Sequence, residues 1–174
     1  VIDLARAPVV ESPLAHAIAV APAGGYFVEF GVASGRTLRQ LAAMRPTIGF
    51  DSFAGLPEDW RPEYPRGTFA QKDIPIVPNA AIVVGLFENT LPKIHVGVAL
   101  AHIDCDLYAS AKAALAWVKE HAIPGCVVVF DEFFGYPGAE HHEEKALRES
   151  GLVYELLCKS PPAREKIAIR IGAP

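Results

Sequence analysis

No run of clustered Lys and Arg, no CxxC pair and no apolar stretch near the roughly 20 residues of a membrane-spanning helix occurs in this 174-residue chain. Each absence removes a class of function. Binding to nucleic acid or anionic lipid depends on clustered cations that neutralise phosphate, and the formal charge here is -4. No nucleic-acid or membrane partner is therefore expected. The three cysteines, Cys105, Cys126 and Cys158, are odd in number and widely spaced, which suggests neither a disulfide framework nor a zinc site and fits a reducing cytoplasm. A signal-peptide pattern, internal repeats and low-complexity segments are also missing. The first residue is Val1 rather than Met, which reads as a trimmed or processed chain whose N-terminal cap is short or missing. What remains is a globular composition, 51% hydrophobic and 21% charged, of a length expected to form one domain over 1–174.

Along the chain, short apolar runs alternate with helical periodicity. Ser12 to Ala21 suits a short helix. Tyr26 to Phe30 is β-prone and stops at Gly31, after which Leu38, Leu41 and Ala42 within Thr37 to Met44 fall at helical spacing. Thr47 to Phe50 makes a second strand, ended by Asp51-Ser52. Ala54 to Pro78 follows, a long stretch rich in Pro, Gly and aromatics that reads as a lid or substrate loop, the alternative being a disordered segment. Ala80 to Val84, Val98 to Ile103 and Cys126 to Phe130 are further strands, apolar at consecutive positions as in strands buried on both faces. Ala109 to Ala122 is a helix with Pro124-Gly125 as its terminator, Ala139 to Ser150 a charged surface helix, and Val153 to Cys158 with Lys166 to Ile171 a closing hairpin. This alternation predicts an α/β fold with a mostly parallel, doubly wound sheet and ligands at the carboxyl ends of its strands.

Three constellations sit at those ends. Glu29-Phe30-Gly31-Val32-Ala33-Ser34-Gly35 joins the first strand to its helix, where glycines admit a ligand close to the backbone and a helix N-terminus offers N–H groups to an anion. The same residues suit an ordinary tight turn, and the GxGxxG spacing of a dinucleotide site is absent. Asp51, about 20 residues on, is placed either to accept ribose hydroxyls or to cap a turn. Asp104 and Asp106 after the fourth strand, with Asp131 and Glu132 after the fifth, converge if those strands are neighbours. Hard oxygen ligands of this kind suit Mg²⁺ or another divalent cation; the alternative is helix capping by Asp106 and solvation of the rest.

The segments VEFGVASGRTLRQLA, GFDSFAGLPEDW, VVGLFENTLP, AHIDCDLYASAKAAL and VVVFDEF occur in that order between Tyr26 and Gly138. They resemble successive motifs of the class I methyltransferases, in particular the macrocin O-methyltransferase-like (TylF-type) group. The resemblance implies a Rossmann-like, seven-stranded sheet with an antiparallel last strand, S-adenosylmethionine as cofactor, and a divalent metal that orients a sugar or other vicinal hydroxyl. It implies that Gly31, Ala33, Ser34 and Gly35 contact the methionine end and Asp51 the ribose. Ser52, Phe53 and Gly55 then line the nucleoside pocket, and Asp104, Asp131 and Glu132 hold the metal. Cys105 departs from the group's usual Gly and Glu132 from its usual second Asp, and both changes preserve a metal site.

The reaction expected is O-methylation of a small-molecule hydroxyl, with Asp104 or Asp106 taking the proton. His102 is expected to be a packed core residue and His141-His142 to be solvated. Trp60, Tyr64 and Phe69 form either an aromatic wall over the acceptor or a local cluster. A homo-oligomer is admissible. The competing readings are a non-catalytic cofactor-binding module and a nicotinamide-dependent oxidoreductase.

Overall fold

The computed structural model describes residues 2–172. Seven strands form one sheet: β1 (Tyr26–Phe30), β2 (Thr47–Asp51), β3 (Ala80–Val84), β4 (Val98–Ile103), β5 (Ala122–Phe130), β6 (Tyr154–Lys159) and β7 (Ile167–Ile171), in the spatial order β3-β2-β1-β4-β5-β7-β6. β1 pairs parallel with β2 and β4, β2 with β3, and β4 with β5, while β7 runs antiparallel to both β5 and β6. The expected doubly wound sheet with an antiparallel last strand is present.

Because side chains alternate across a strand, the sheet builds two cores. Val28, Phe30, Phe50, Ala101, Ile103, Val128 and Phe130 face one side and meet α4 (Tyr108–His121) and α5 (Glu143–Glu149). Phe27, Leu100, Val127 and Val129 face the other, against α1 (Pro13–Val20) and α2 (Arg36–Met44). α1 is capped as its sequence suggests: Ser12 Oγ accepts from the Ala15 N–H, and Pro13 takes the first helical position.

Three elements depart from expectation. β5 begins at Ala122, so Pro124-Gly125 lies inside the strand, beside the register shift between Val98 and Leu100 of β4; the preceding helix has already ended at His121. Pro is admitted there because an irregular ladder does not need its missing N–H. The charged segment from Ala139 is broken at His142 (φ -111, ψ -115) into a 3-10 turn, Ala139–His141, and α5. α5 is not a wholly solvated surface helix, since Glu143, Ala146 and Leu147 are buried. A short helix α3 (Phe87–Thr90) follows β3 where no helix was expected.

Candidate active site

The carboxyl ends of β1, β2, β4 and β5 open onto a cavity of about 540 Å³. Its lining includes Gly31, Ala33, Asp51, Ser52 and Gly55 on one side and Asp104, Asp106, Asp131 and Glu132 on another. Glu29, Phe30, Ser34, Gly35 and Phe53, also expected at the cofactor, do not line it. Glu29 and Phe30 are strand residues buried in the sheet, and Phe53 packs with Val32 and Leu38.

The two sides touch through Gly31. A Cβ there would lie 1.7 Å from the Asp104 carbonyl oxygen, so only glycine lets the β1 turn close onto the end of β4, at a φ of +93. Asp51 ties the same turn down: its Oδ2 accepts from the N–H groups of Val32 (2.7 Å) and Ala33 (2.8 Å), and its Oδ1 from that of Phe53 (2.7 Å). Those amides are therefore committed to Asp51 rather than to an incoming anion. Ala33, Phe69 and Asp106, all lining the cavity and none of them glycine, have positive φ at 43, 68 and 61. Backbone strain of this kind, gathered at one cavity, marks a site whose surroundings over-determine it.

Among the carboxylates, Asp104, Asp106 and Glu132 each bring an oxygen within 4.8 Å of the others. Asp131 also lines the cavity but does not join that trio. Lys166, at the entry to β7, donates to its Oδ1, and His102 lies 3.2 Å from the same oxygen. The expected set Asp104, Asp131 and Glu132 thus shares two members with the cluster observed, and Asp106 stands in the third place. Asp106 does not cap α4, whose N-cap residue is Leu107.

Burial dominates the electrostatics. Asp104 is pushed up to about 8 by burial and then by the neighbouring Asp131, and Asp106 to about 7 by burial, against the opposing pull of Arg61. Glu132 rises to about 12 through burial and the charges of Asp104 and Asp131. Such a cluster stores repulsion that a cation relieves. Glu132 Oε2 is buried without a partner, and three hard carboxylates are the donor set a divalent ion such as Mg²⁺ uses, so these residues fit one.

His102 is more than core filling. Glu29 and His102 face each other in register across β1 and β4, and His102 Nδ1 lies 3.0 Å from Glu29 Oε1. Burial opposes the imidazolium, but the hydrogen bonds with Asp131 and Glu29 prevail and lift His102 to about 10. Burial alone would raise Asp131, yet His102 and Lys166 hold it well below the usual carboxylate range.

Of the loop aromatics, Phe69 lines the cavity. It stacks on Tyr64, which packs on Trp60, which meets Tyr136 and His142, so the wall and the local cluster are one continuous structure. His142 is half-buried against Trp60, whereas His141 is exposed beside Glu140. Glu143, unsuspected from its charged segment, is fully buried, and its Oε2 accepts from the Glu132 N–H.

A family described as a methyltransferase domain matches residues 28–133, more than half of the chain and every element that builds this cavity up to β5. The chain belongs to the methyltransferase-domain family. As a methyltransferase it is an enzyme, and the non-catalytic and oxidoreductase readings give way. Among solved structures, the calicheamicin methyltransferase CalS11 is similar at 25% identity, with 85% of this chain and 72% of that chain covered and a TM-score of 0.67. The O-methyltransferase NovP is similar at 19% identity, 91% and 77% coverage and a TM-score of 0.70. A cofactor-bound mycobacterial protein, Rv0187 from MTB, shares the fold at 18% identity, 97% and 84% coverage and a TM-score of 0.58. No curated protein sequence matches. Among the described residues of this methyltransferase, no helix is long and apolar enough to cross a membrane.

Proposed function

We propose that this methyltransferase moves a methyl group from S-adenosylmethionine to a hydroxyl oxygen of a small molecule, with a divalent cation assisting, in the manner of the macrocin O-methyltransferase-like group. The observation that carries the reading is the meeting of the glycine turn and the carboxylate cluster on one cavity. Likeness to CalS11, described as a TDP-rhamnose 3'-O-methyltransferase, supports a sugar or similar vicinal diol as acceptor.

S-adenosylmethionine, when bound, supplies an electrophilic methyl on a sulfonium, and a cation held by Asp104, Asp106 and Glu132, with Mg²⁺ the first choice, lowers the pKa of the acceptor hydroxyl. Gly31 and Ala33 admit the methionine end, and Asp51, Ser52 and Gly55 the nucleoside. Asp51 does so while fixing the turn, since its Oδ1, which accepts from the Phe53 N–H, keeps a second lone pair for a ribose hydroxyl. A carboxylate oxygen of Asp104 or Asp106 receives the acceptor proton. Asp131, fixed by Lys166 and His102, presents a constant negative charge beside the transfer path. Phe69 covers the acceptor side and excludes water.

Calorimetry tests the donor: S-adenosylmethionine and its demethylated product are expected to bind and NAD is not, and the reverse result overturns the reading. For the acceptor, TDP-rhamnose and catechol are offered with Mg²⁺ and labelled donor. Label transfer that EDTA abolishes supports cation assistance, and transfer indifferent to EDTA refutes it.

A further inference from the structure

At the end of α4 far from the carboxylates, two histidines form a second donor set. His121 is the last residue of α4, and His95 lies in the loop that leads into β4. His121 Nε2 is 3.4 Å from His95 Nδ1. One side chain, Trp117, organises both. Its indole N–H donates to the Ile94 carbonyl (3.1 Å), fixing the residue before His95, and its own carbonyl oxygen lies 2.8 Å from His121 Nδ1. The His121 ring also stacks on Trp117, with centroids 4.3 Å apart and planes 15° apart, and the His95 ring stacks on His121 at 5.6 Å and 28°.

We infer that His95 and His121 form a binding site for a borderline-soft divalent ion, zinc in particular, independent of the methyl-transfer site. Three observations converge on it. Two imidazole nitrogens on one tetrahedral zinc, each at about 2.0–2.1 Å, stand about 3.3 Å apart, which is the spacing present here before any ion enters. With Nδ1–H donated to the Trp117 carbonyl, His121 carries its lone pair on Nε2, the outer-shell arrangement that fixes tautomer and ring orientation in histidine metal sites. The site also adjoins the C-terminus of a 14-residue helix, where the helix dipole favours a cation. Imidazole selects zinc, copper or nickel over the magnesium that carboxylates prefer, so the two sites are chemically separable. His95 is exposed, and water completes the coordination.

The test is a calorimetric titration with Zn²⁺ in excess Mg²⁺, the Mg²⁺ occupying the carboxylate cluster, paired with quenching of Trp117 fluorescence by Cu²⁺. The wild type is expected to take one Zn²⁺ and to be quenched. His95→Ala and His121→Ala are expected to weaken binding by more than about tenfold, since outer-shell partners alone are worth that much, and to lose the quenching; His141→Ala is expected to change neither. His95→Ala lies on an exposed loop and stays interpretable if His121→Ala fails to fold. Absence of Zn²⁺ binding by the wild type, or binding and quenching unchanged in His95→Ala, overturns the inference.

Discussion

In the proposed function Asp51 serves two purposes with one carboxylate, and its replacement separates them. Asp51→Ala removes the acceptor for three backbone N–H groups. Even two charge-assisted bonds at the lower value of roughly 1.5 kcal/mol each predict a loss of about 3 kcal/mol of stability. For a chain of this length that is a fall in Tm of about 6–12 °C, together with at least about tenfold weaker binding of the demethylated cofactor. An unchanged Tm removes Asp51 from the turn. The carboxylate cluster predicts a pH dependence. Asp104 at about 8 and Asp106 at about 7 keep protons in the folded state that the unfolded chain releases near pH 4. Their contribution is complete below about pH 4 and is lost as pH rises through about 7 to 8. In EDTA, Tm is expected to decline from pH 5 to 8, and saturating Mg²⁺ or Mn²⁺ to abolish the decline. A flat profile, or one that metal leaves unchanged, removes the cation from Asp104, Asp106 and Glu132. These carboxylates were legible in the chain because a charge directly after an apolar strand needs a reason. Glu143, His102 and Lys166 were not: a lone charge in a charged helix, a histidine inside a strand and a lysine opening a hairpin look structural until the packing is known.

At the scale of elements, the long loop is built rather than loose. Leu56 N–H donates to the Thr68 carbonyl, Gly67 N–H to that of Leu56, and Asp59 accepts from the Arg66 N–H. Arg61 then clamps the loop to the body of the enzyme: its guanidinium lies over the rings of Trp60 and Tyr136 and pairs with Glu165 at 3.0 Å. Arg61→Met is expected to raise amide exchange across residues 56–68 by about tenfold while β1 and β4 stay protected. Equal protection in both proteins shows that the clamp is not what orders the loop. The loop's position was visible as a break in periodicity, but its order rests on contacts with residues about a hundred positions away. β5 shows the reverse failure. Pro124-Gly125 is a strong local stop signal, and the irregular pairing with β4 that overrides it has no signature in the chain.

For the molecule as a whole, the cavity gathers residues from four strands and the loop, so a ligand that fills it binds only the folded chain. The demethylated cofactor at 100 times its Kd is expected to add about 2.7 kcal/mol, raising Tm by about 5–11 °C. A melting curve indifferent to it contradicts the proposed donor. The order of the sheet was legible only in outline: alternation predicts parallel strands, whereas the seating of β7 between β5 and β6 depends on which edges remain when the chain reaches them. That seating has a consequence for synthesis. Of the seven strands, β7 is the last to leave the ribosome, yet its place is between two that emerged before it, so β5 and β6 must wait with unpaired edges. Asp131, at the end of β5, waits as well, because Lys166 arrives with β7. A nascent chain halted before Lys166 has the glycine turn of the proposed donor site but neither β7 nor the lysine that holds Asp131, so the proposed reaction centre is finished only once β7 has been made.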